Sequence, residues 1–284
     1  MLCDPFGKDK VKKEFYGLVA ISLILSISAL SYIAGLLVSM AGSEPLFLNH
    51  TTEKFQGDLQ SHQLDFQYGK VHYLSHRRSD SKVHLFALHG PNMTTQSASH
   101  WIPNCALFDR MGNFHILDLP GFGESPIDRG LQSVPSTVSA HALHRTMEEE
   151  GVLSDPNIRI VFMARSWGAE VVMMLFRRYP EVLDLRIQLV LISPTPNLKL
   201  IAPFIKDKIR AISGLIVWGE RDKVIPSSFS RVLTRFLPKF DLYILKGVSS
   251  HQPETDFPGT FARIVSEWWE KQVEKGIPTH SSSA

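Results

Sequence analysis

Cysteine is nearly absent from this chain of 284 residues, which has only Cys3 and Cys105. The two lie on opposite sides of an apolar N-terminal stretch, so a disulfide between them is not expected. Neither a disulfide framework nor a cysteine zinc site is encoded. Charge of one sign is also scarce. The net charge is +2, which gives no reason to expect nucleic acid or an acidic substrate. Internal repeats are lacking. Gly121 and Gly123 are followed by no third glycine, which excludes a dinucleotide fingerprint at that turn. A last absence is local: no charged residue occurs between Phe15 and Met40.

That uncharged stretch is long enough for a spanning helix, which needs about 20 apolar residues. It is too long for the apolar part of a cleaved signal peptide, roughly 7–15 residues. A single N-terminal transmembrane helix, a signal anchor, is expected over 15–40. Lys8, Lys10, Lys12 and Lys13 precede it, and Glu44 is the only charge shortly after it. The positive-inside rule then puts residues 1–14 in the cytoplasm and the globular part in a luminal or extracellular space. A linker over 41–61 is expected to lead into a domain over 62–275. A Gly, Pro, Ser and Thr-rich tail, 276–284, should be disordered.

Within the domain, short apolar runs alternate with helical patterns. Strands are expected at 63–68, 71–75, 83–88, 114–117, 158–163, 188–192, 215–218 and 242–245. Runs such as Leu189-Val190-Leu191-Ile192 suit parallel strands covered on both faces. Helices are expected at 100–110, 137–150, 167–179, 227–236 and 257–275. This alternation implies an α/β fold: a doubly wound, mostly parallel eight-stranded sheet, with an antiparallel hairpin at its first edge. Active groups in such sheets sit at the carboxyl ends of strands.

Chemistry concentrates there. Ala164-Arg165-Ser166-Trp167-Gly168-Ala169 follows an apolar strand and opens a helix. A serine on a sharp strand-to-helix turn is a nucleophile elbow, which needs small residues two before and two after. Ala164 and Gly168 fill those positions. Alone, the serine reads equally well as a helix cap. A serine nucleophile also needs a base, and the base a carboxylate. His251 follows the last expected strand, in Ser250-His251-Gln252-Pro253. Asp222 follows the strand before it, in Trp218-Gly219-Glu220-Arg221-Asp222. Serine, acid and histidine come in the order the elbow motif expects, each after a different strand.

With these residues the chain resembles the α/β-hydrolase superfamily over most of its length after the expected anchor. His89-Gly90 is similar to the family's oxyanion-loop signature. Asp118-Leu119-Pro120-Gly121-Phe122-Gly123-Glu124-Ser125 is similar to its next turn. Trp218-Gly219 through Asp222 and Pro226 resembles the acid turn, and Pro253, Pro258 and Phe261 fall at the family's spacing around His251.

The resemblance implies an acyl-enzyme mechanism with Ser166 as nucleophile, His251 as base and Asp222 as its orienting acid. The N–H of Trp167 would be one oxyanion donor. The second would come from the position of Pro91, which has no N–H, leaving Asn92 to replace it. Ser193 to Gly214 leaves no room for a full cap domain, so the site should be open. The capless form with one anchor resembles the abhydrolase domain-containing protein fourteen group. No cofactor, metal or nucleic acid is implied. The expected substrate is a small or lipid-like acyl ester or thioester. Pro91 supports a rival reading, a non-catalytic hydrolase-fold binding or scaffolding protein. Asn49 and Asn92 begin glycosylation sequons, of which Asn49 is the more accessible.

Overall fold

The computed structural model describes residues 54–91, 97–127, 134–195, 197 and 203–274. The expected membrane span, Asn49, Asn92 and the C-terminal tail lie outside them. Among the described residues no helix is long and apolar enough to cross a membrane.

Eight strands form one sheet: β1 (Gln60–Phe66), β2 (Gly69–His76), β3 (Val83–Leu88), β4 (Asn113–Asp118), β5 (Arg159–Arg165), β6 (Arg186–Ile192), β7 (Ser213–Gly219) and β8 (Phe240–Leu245). Their spatial order is β1-β2-β4-β3-β5-β6-β7-β8. β1 pairs antiparallel with β2, and β2 with β4; every other pair is parallel. Strand order therefore reverses around β3. The chain leaves β3 towards β4 on one side and later returns to β5 on the other, which opens a crevice at the carboxyl ends.

Helices cover both faces: α1 (Cys105–Met111), α2 (Ser136–Glu149), α3 (Trp167–Arg178), α4 (Lys206–Ala211), α5 (Ser230–Phe236), α6 (Pro253–Asp256) and α7 (Pro258–Glu274). Side chains alternate across a strand, and the two cores divide accordingly. Phe86, Leu88, Ile160, Phe162 and Ala164 enter one. Leu85, Ala87, Val161 and Met163 enter the other, with Phe261, Val265 and Trp268 of α7.

Several boundaries differ from the sequence pattern, each for a local reason. The first edge strand begins at Gln60, and Phe55 already packs against His76 and Phe114. The end of the expected linker is thus part of the domain. The helix expected from His100 begins as a 3-10 segment, Ala98–Asn104, and turns α-helical only at Cys105. Pro103 inside it has no N–H for an α-helical ladder. The last helix is split at Phe257 because a residue before proline avoids the α region. α4 carried no sequence expectation. It fills the short β6–β7 connection where a cap would be inserted.

Candidate active site

β5 runs straight into Ser166, which begins α3 with φ 50° and ψ −117°. A non-glycine residue in that region stores roughly 1–3 kcal/mol of strain. The neighbouring loop holds the strained turn on both sides. Ser166 N–H donates to Ile192 O at 2.8 Å, and Thr195 N–H donates to Ser166 O at 3.3 Å. Gly168 is required two residues on. A Cβ there would lie 2.8 Å from the carbonyl oxygens of Leu88 and His89 at the end of β3. The elbow thus seats the helix against the loop expected to carry the oxyanion donors. As the first residue of α3, Trp167 has an N–H with no partner inside the helix.

Asp222 and His251 are joined directly. His251 Nδ1–H donates to Asp222 Oδ2 at 2.7 Å. The carboxylate also accepts from Trp218 Nε1–H at 3.0 Å, and from the backbone N–H groups of Val224 and Ile225 at 2.8 and 3.0 Å. Burial works against its charge, but the bond from His251 and the two backbone donors outweigh it. Asp222 is held below the usual carboxylate range. Occupying Nδ1 leaves His251 Nε2 as the ring nitrogen available to a hydroxyl. Among the described residues Ser166 Oγ makes no hydrogen bond to His251; such contacts often tighten only with substrate bound.

A second link between elbow and histidine loop was not foreseen. Arg165, directly before Ser166, lies 2.9 Å from Glu254, three residues after His251. Both side chains are almost wholly buried. Burial drives the Glu254 carboxyl up and the Arg165 guanidinium down, and each charge opposes the shift of the other. Asn104 Nδ2–H donates to Glu254 O at 2.9 Å and fixes the same turn. Charged residues in sequence look like surface, so only coordinates reveal this pair.

The flanking loops are pinned by His89 and Asp118. Leu119 N–H donates to His89 Nε2 at 3.0 Å, so Nδ1 carries the proton donated to Gly90 O at 2.7 Å. Burial lowers this histidine to about 4, so it is a neutral spacer. Asp118 accepts from Ala98 N–H, from Glu124 N–H at 2.9 Å and from His72 Nδ1–H at 2.7 Å. His72 Nε2 lies 2.9 Å from Ser61 Oγ. The hairpin edge therefore holds a second hydrogen-bonded Ser–His–Asp chain. The sequence reading did not find it, because it depends on the β1–β2 register. Pro91 is exposed at the surface, and Asn92 lies outside the described residues.

His84, His115 and Glu150 bring possible metal ligands within 4.8 Å of one another. Three of their four ring nitrogens already have hydrogen-bond partners, and His115 Nδ1 has none. Asn113 Nδ2–H reaches His84 Nε2 at 3.1 Å, His84 Nδ1 faces His115 Nε2 at 3.0 Å, and His115 Nδ1 faces Glu150 Oε2 at 3.6 Å. Arg77 and Tyr73 bind the same carboxylate at 2.8 and 2.6 Å. This is a hydrogen-bonded row of rings beside a glutamate already paired with Arg77. It lies near the amino ends of β3 and β4, opposite the elbow.

No protein-family model and no curated protein matches the chain. Solved structures do. A predicted CIB-like hydrolase of Thermoplasma acidophilum is 22% identical with a TM-score of 0.61, over 74% of this chain and 97% of that one. A thermophilic esterase of Thermogutta terrifontis is 14% identical with a TM-score of 0.57, over 76% and 99%. A carboxylesterase of Bacillus subtilis is 14% identical with a TM-score of 0.55, over 74% and 91%. The fold is the α/β-hydrolase fold. In that fold the turn after β5, the loop after β7 and the loop after β8 share one rim, where this chain carries Ser166, Asp222 and His251.

Proposed function

We propose that the chain is a serine hydrolase that cleaves an acyl ester or thioester, or transfers the acyl group. The observation that carries this is the strained Ser166 turn at a helix N-terminus together with the 2.7 Å bond between His251 and Asp222. Ser166 Oγ would attack the acyl carbonyl carbon while its proton passes to His251 Nε2. The tetrahedral oxyanion would face the Trp167 N–H and the start of α3. Its collapse would expel the alcohol or thiol, which takes the proton from His251. Water, or another acceptor, would then release the acyl group by the same steps. Asp222, held ionised, would stabilise the charged imidazole.

The residue-level triad, the anchor at 15–40 and the luminal or extracellular placement belong to this proposal. So does any closer likeness to the abhydrolase domain-containing protein fourteen group. Proline at 91 favours a second reading, a non-catalytic binding protein. Losing one oxyanion donor costs about 10²–10³ in rate. Turnover of a p-nitrophenyl ester by the full chain, abolished in Ser166→Ala, decides for the enzyme. Turnover that persists unchanged in that variant rejects Ser166 as the nucleophile, and none in either chain favours the binding protein. Protease protection in sealed microsomes tests the topology, and digestion of the domain from the cytoplasmic side reverses it.

A further inference from the structure

The net charge of the whole chain is only +2, yet cations crowd one stretch that starts at the acid turn. Arg221, Lys223, Arg231, Arg235 and Lys239 are all exposed. The only acid between them is Asp222, which is buried and bound to His251. None of the five forms an ion pair among the described residues. Arg221 lies near Glu220, which already holds Lys246 at 2.9 Å. Large apolar side chains stand among these cations: Val224 at 67% exposure, Phe229 at 40% and Val232 at 41%.

The stretch is folded, not a loose basic tail. α5 turns Leu233 into the core beside Leu237, while Arg231, Val232 and Arg235 point outward. Ile225 and Asp222 are fixed by the backbone bond of the acid turn. Exposed valine and phenylalanine next to unpaired cations cost solvation without serving the core. They match a surface that is negative outside and hydrocarbon beneath, since cations gain at anionic headgroups and apolar tips gain below them.

We propose that the segment from Arg221 to Val232, beside the carboxyl ends of β7 and β8, docks on the anionic surface of a lipid bilayer and presents the adjoining rim to membrane-resident acyl lipids. The proposal rests on the hydrolase reading for its substrate, though not for the docking itself. With about 1 kcal/mol per cation near such a surface, each cation removed weakens docking about fivefold.

The test uses the full chain with Cys3→Ser and Val224→Cys, Cys105 being buried, and an environment-sensitive fluorophore on the new thiol. Vesicles of phosphatidylcholine containing about a quarter phosphatidylserine are compared with phosphatidylcholine alone. The expected result is a blue shift in the anionic vesicles only. It should be reversed by high salt, which shortens the screening length. In Arg221→Gln/Lys223→Gln/Arg231→Gln the partition constant should fall about 10²-fold. Equal emission in both vesicles overturns the proposal. So does a shift without lipid that grows with protein concentration, which would assign the face to a second copy. Ser166→Ala must keep the shift. Ester turnover without a shift removes the docking and keeps the hydrolase; a shift without turnover does the reverse.

Discussion

Serine, histidine and aspartate come in two sets in this molecule, one linked through all three residues and one linked only between histidine and aspartate. At the hairpin edge, Ser61, His72 and Asp118 are linked at 2.9 and 2.7 Å. At the strand ends, His251 and Asp222 are linked at 2.7 Å, and Ser166 stands on the elbow. Judged by hydrogen bonds alone, the first is the better triad. Its histidine sits in a different electrostatic setting, however. The bond from Asp118 raises His72 above its ordinary value, and Glu124 at 4.0 Å adds to this. Ser61 also lies in an extended strand, with no helix N-terminus to receive an oxyanion. The two serines differ most in the backbone around them.

This contrast can be broken by mutation. Asp222→Asn should lower ester turnover about 10³–10⁴-fold, because the imidazole loses its orienting charge. Asp118→Asn should act mainly on folding. Removing one partner of a buried pair costs about 3–5 kcal/mol, read from urea unfolding. If Asp118→Asn instead abolishes turnover while stability is kept, the assignment of roles is reversed.

Glu254→Gln weakens one contact of the buried Arg165 and should destabilise the fold by about 3 kcal/mol. Arg165→Met/Glu254→Leu should recover most of that loss, since no buried charge remains. A double variant no more stable than the single would deny the pair its buried-ion character.

The two assemblies also differ with pH. His72 is raised above 6.5, so its contribution to stability is full below pH 6.5 and is lost as pH rises through the folded value. Asp118 and Asp222 are depressed below 3.8, so theirs is present above pH 3.8 and lost as pH falls through the folded values. The stability gap between the native chain and His72→Gln should therefore narrow on the alkaline side. A gap that widens there contradicts the raised value. The smallest effect is expected from Ser61→Ala. Labelling by a fluorophosphonate should be unchanged, with about 1 kcal/mol lost for one hydrogen bond. Reduced labelling would make the hairpin serine reactive after all.

Much of this arrangement was legible in the sequence, and what was hidden shares a physical cause. The core strands announce themselves because both faces are covered, as in Ile187-Gln188-Leu189-Val190-Leu191-Ile192. Asp222 and His251 could be set on neighbouring strand ends from their turns and order alone. Three features could not be read. The 3-10 start at Ala98 is pinned by a carboxylate twenty residues away. The Ser61–His72 contact follows from a diagonal across β1 and β2. The Arg165–Glu254 pair joins residues that are distant in the chain and polar in type. Local pattern reports periodicity and turn chemistry; it is silent on register and on polar groups buried against expectation.

The bent backbone at residue 166 has a consequence for how such a protein ages in evolution. A glycine there would relax the turn, and a chain selected only to stay folded would gain by that exchange. In this chain the position is serine despite that pull. A lineage that gave up its chemistry should therefore drift at this position first, leaving a sturdier fold with a blank at its rim.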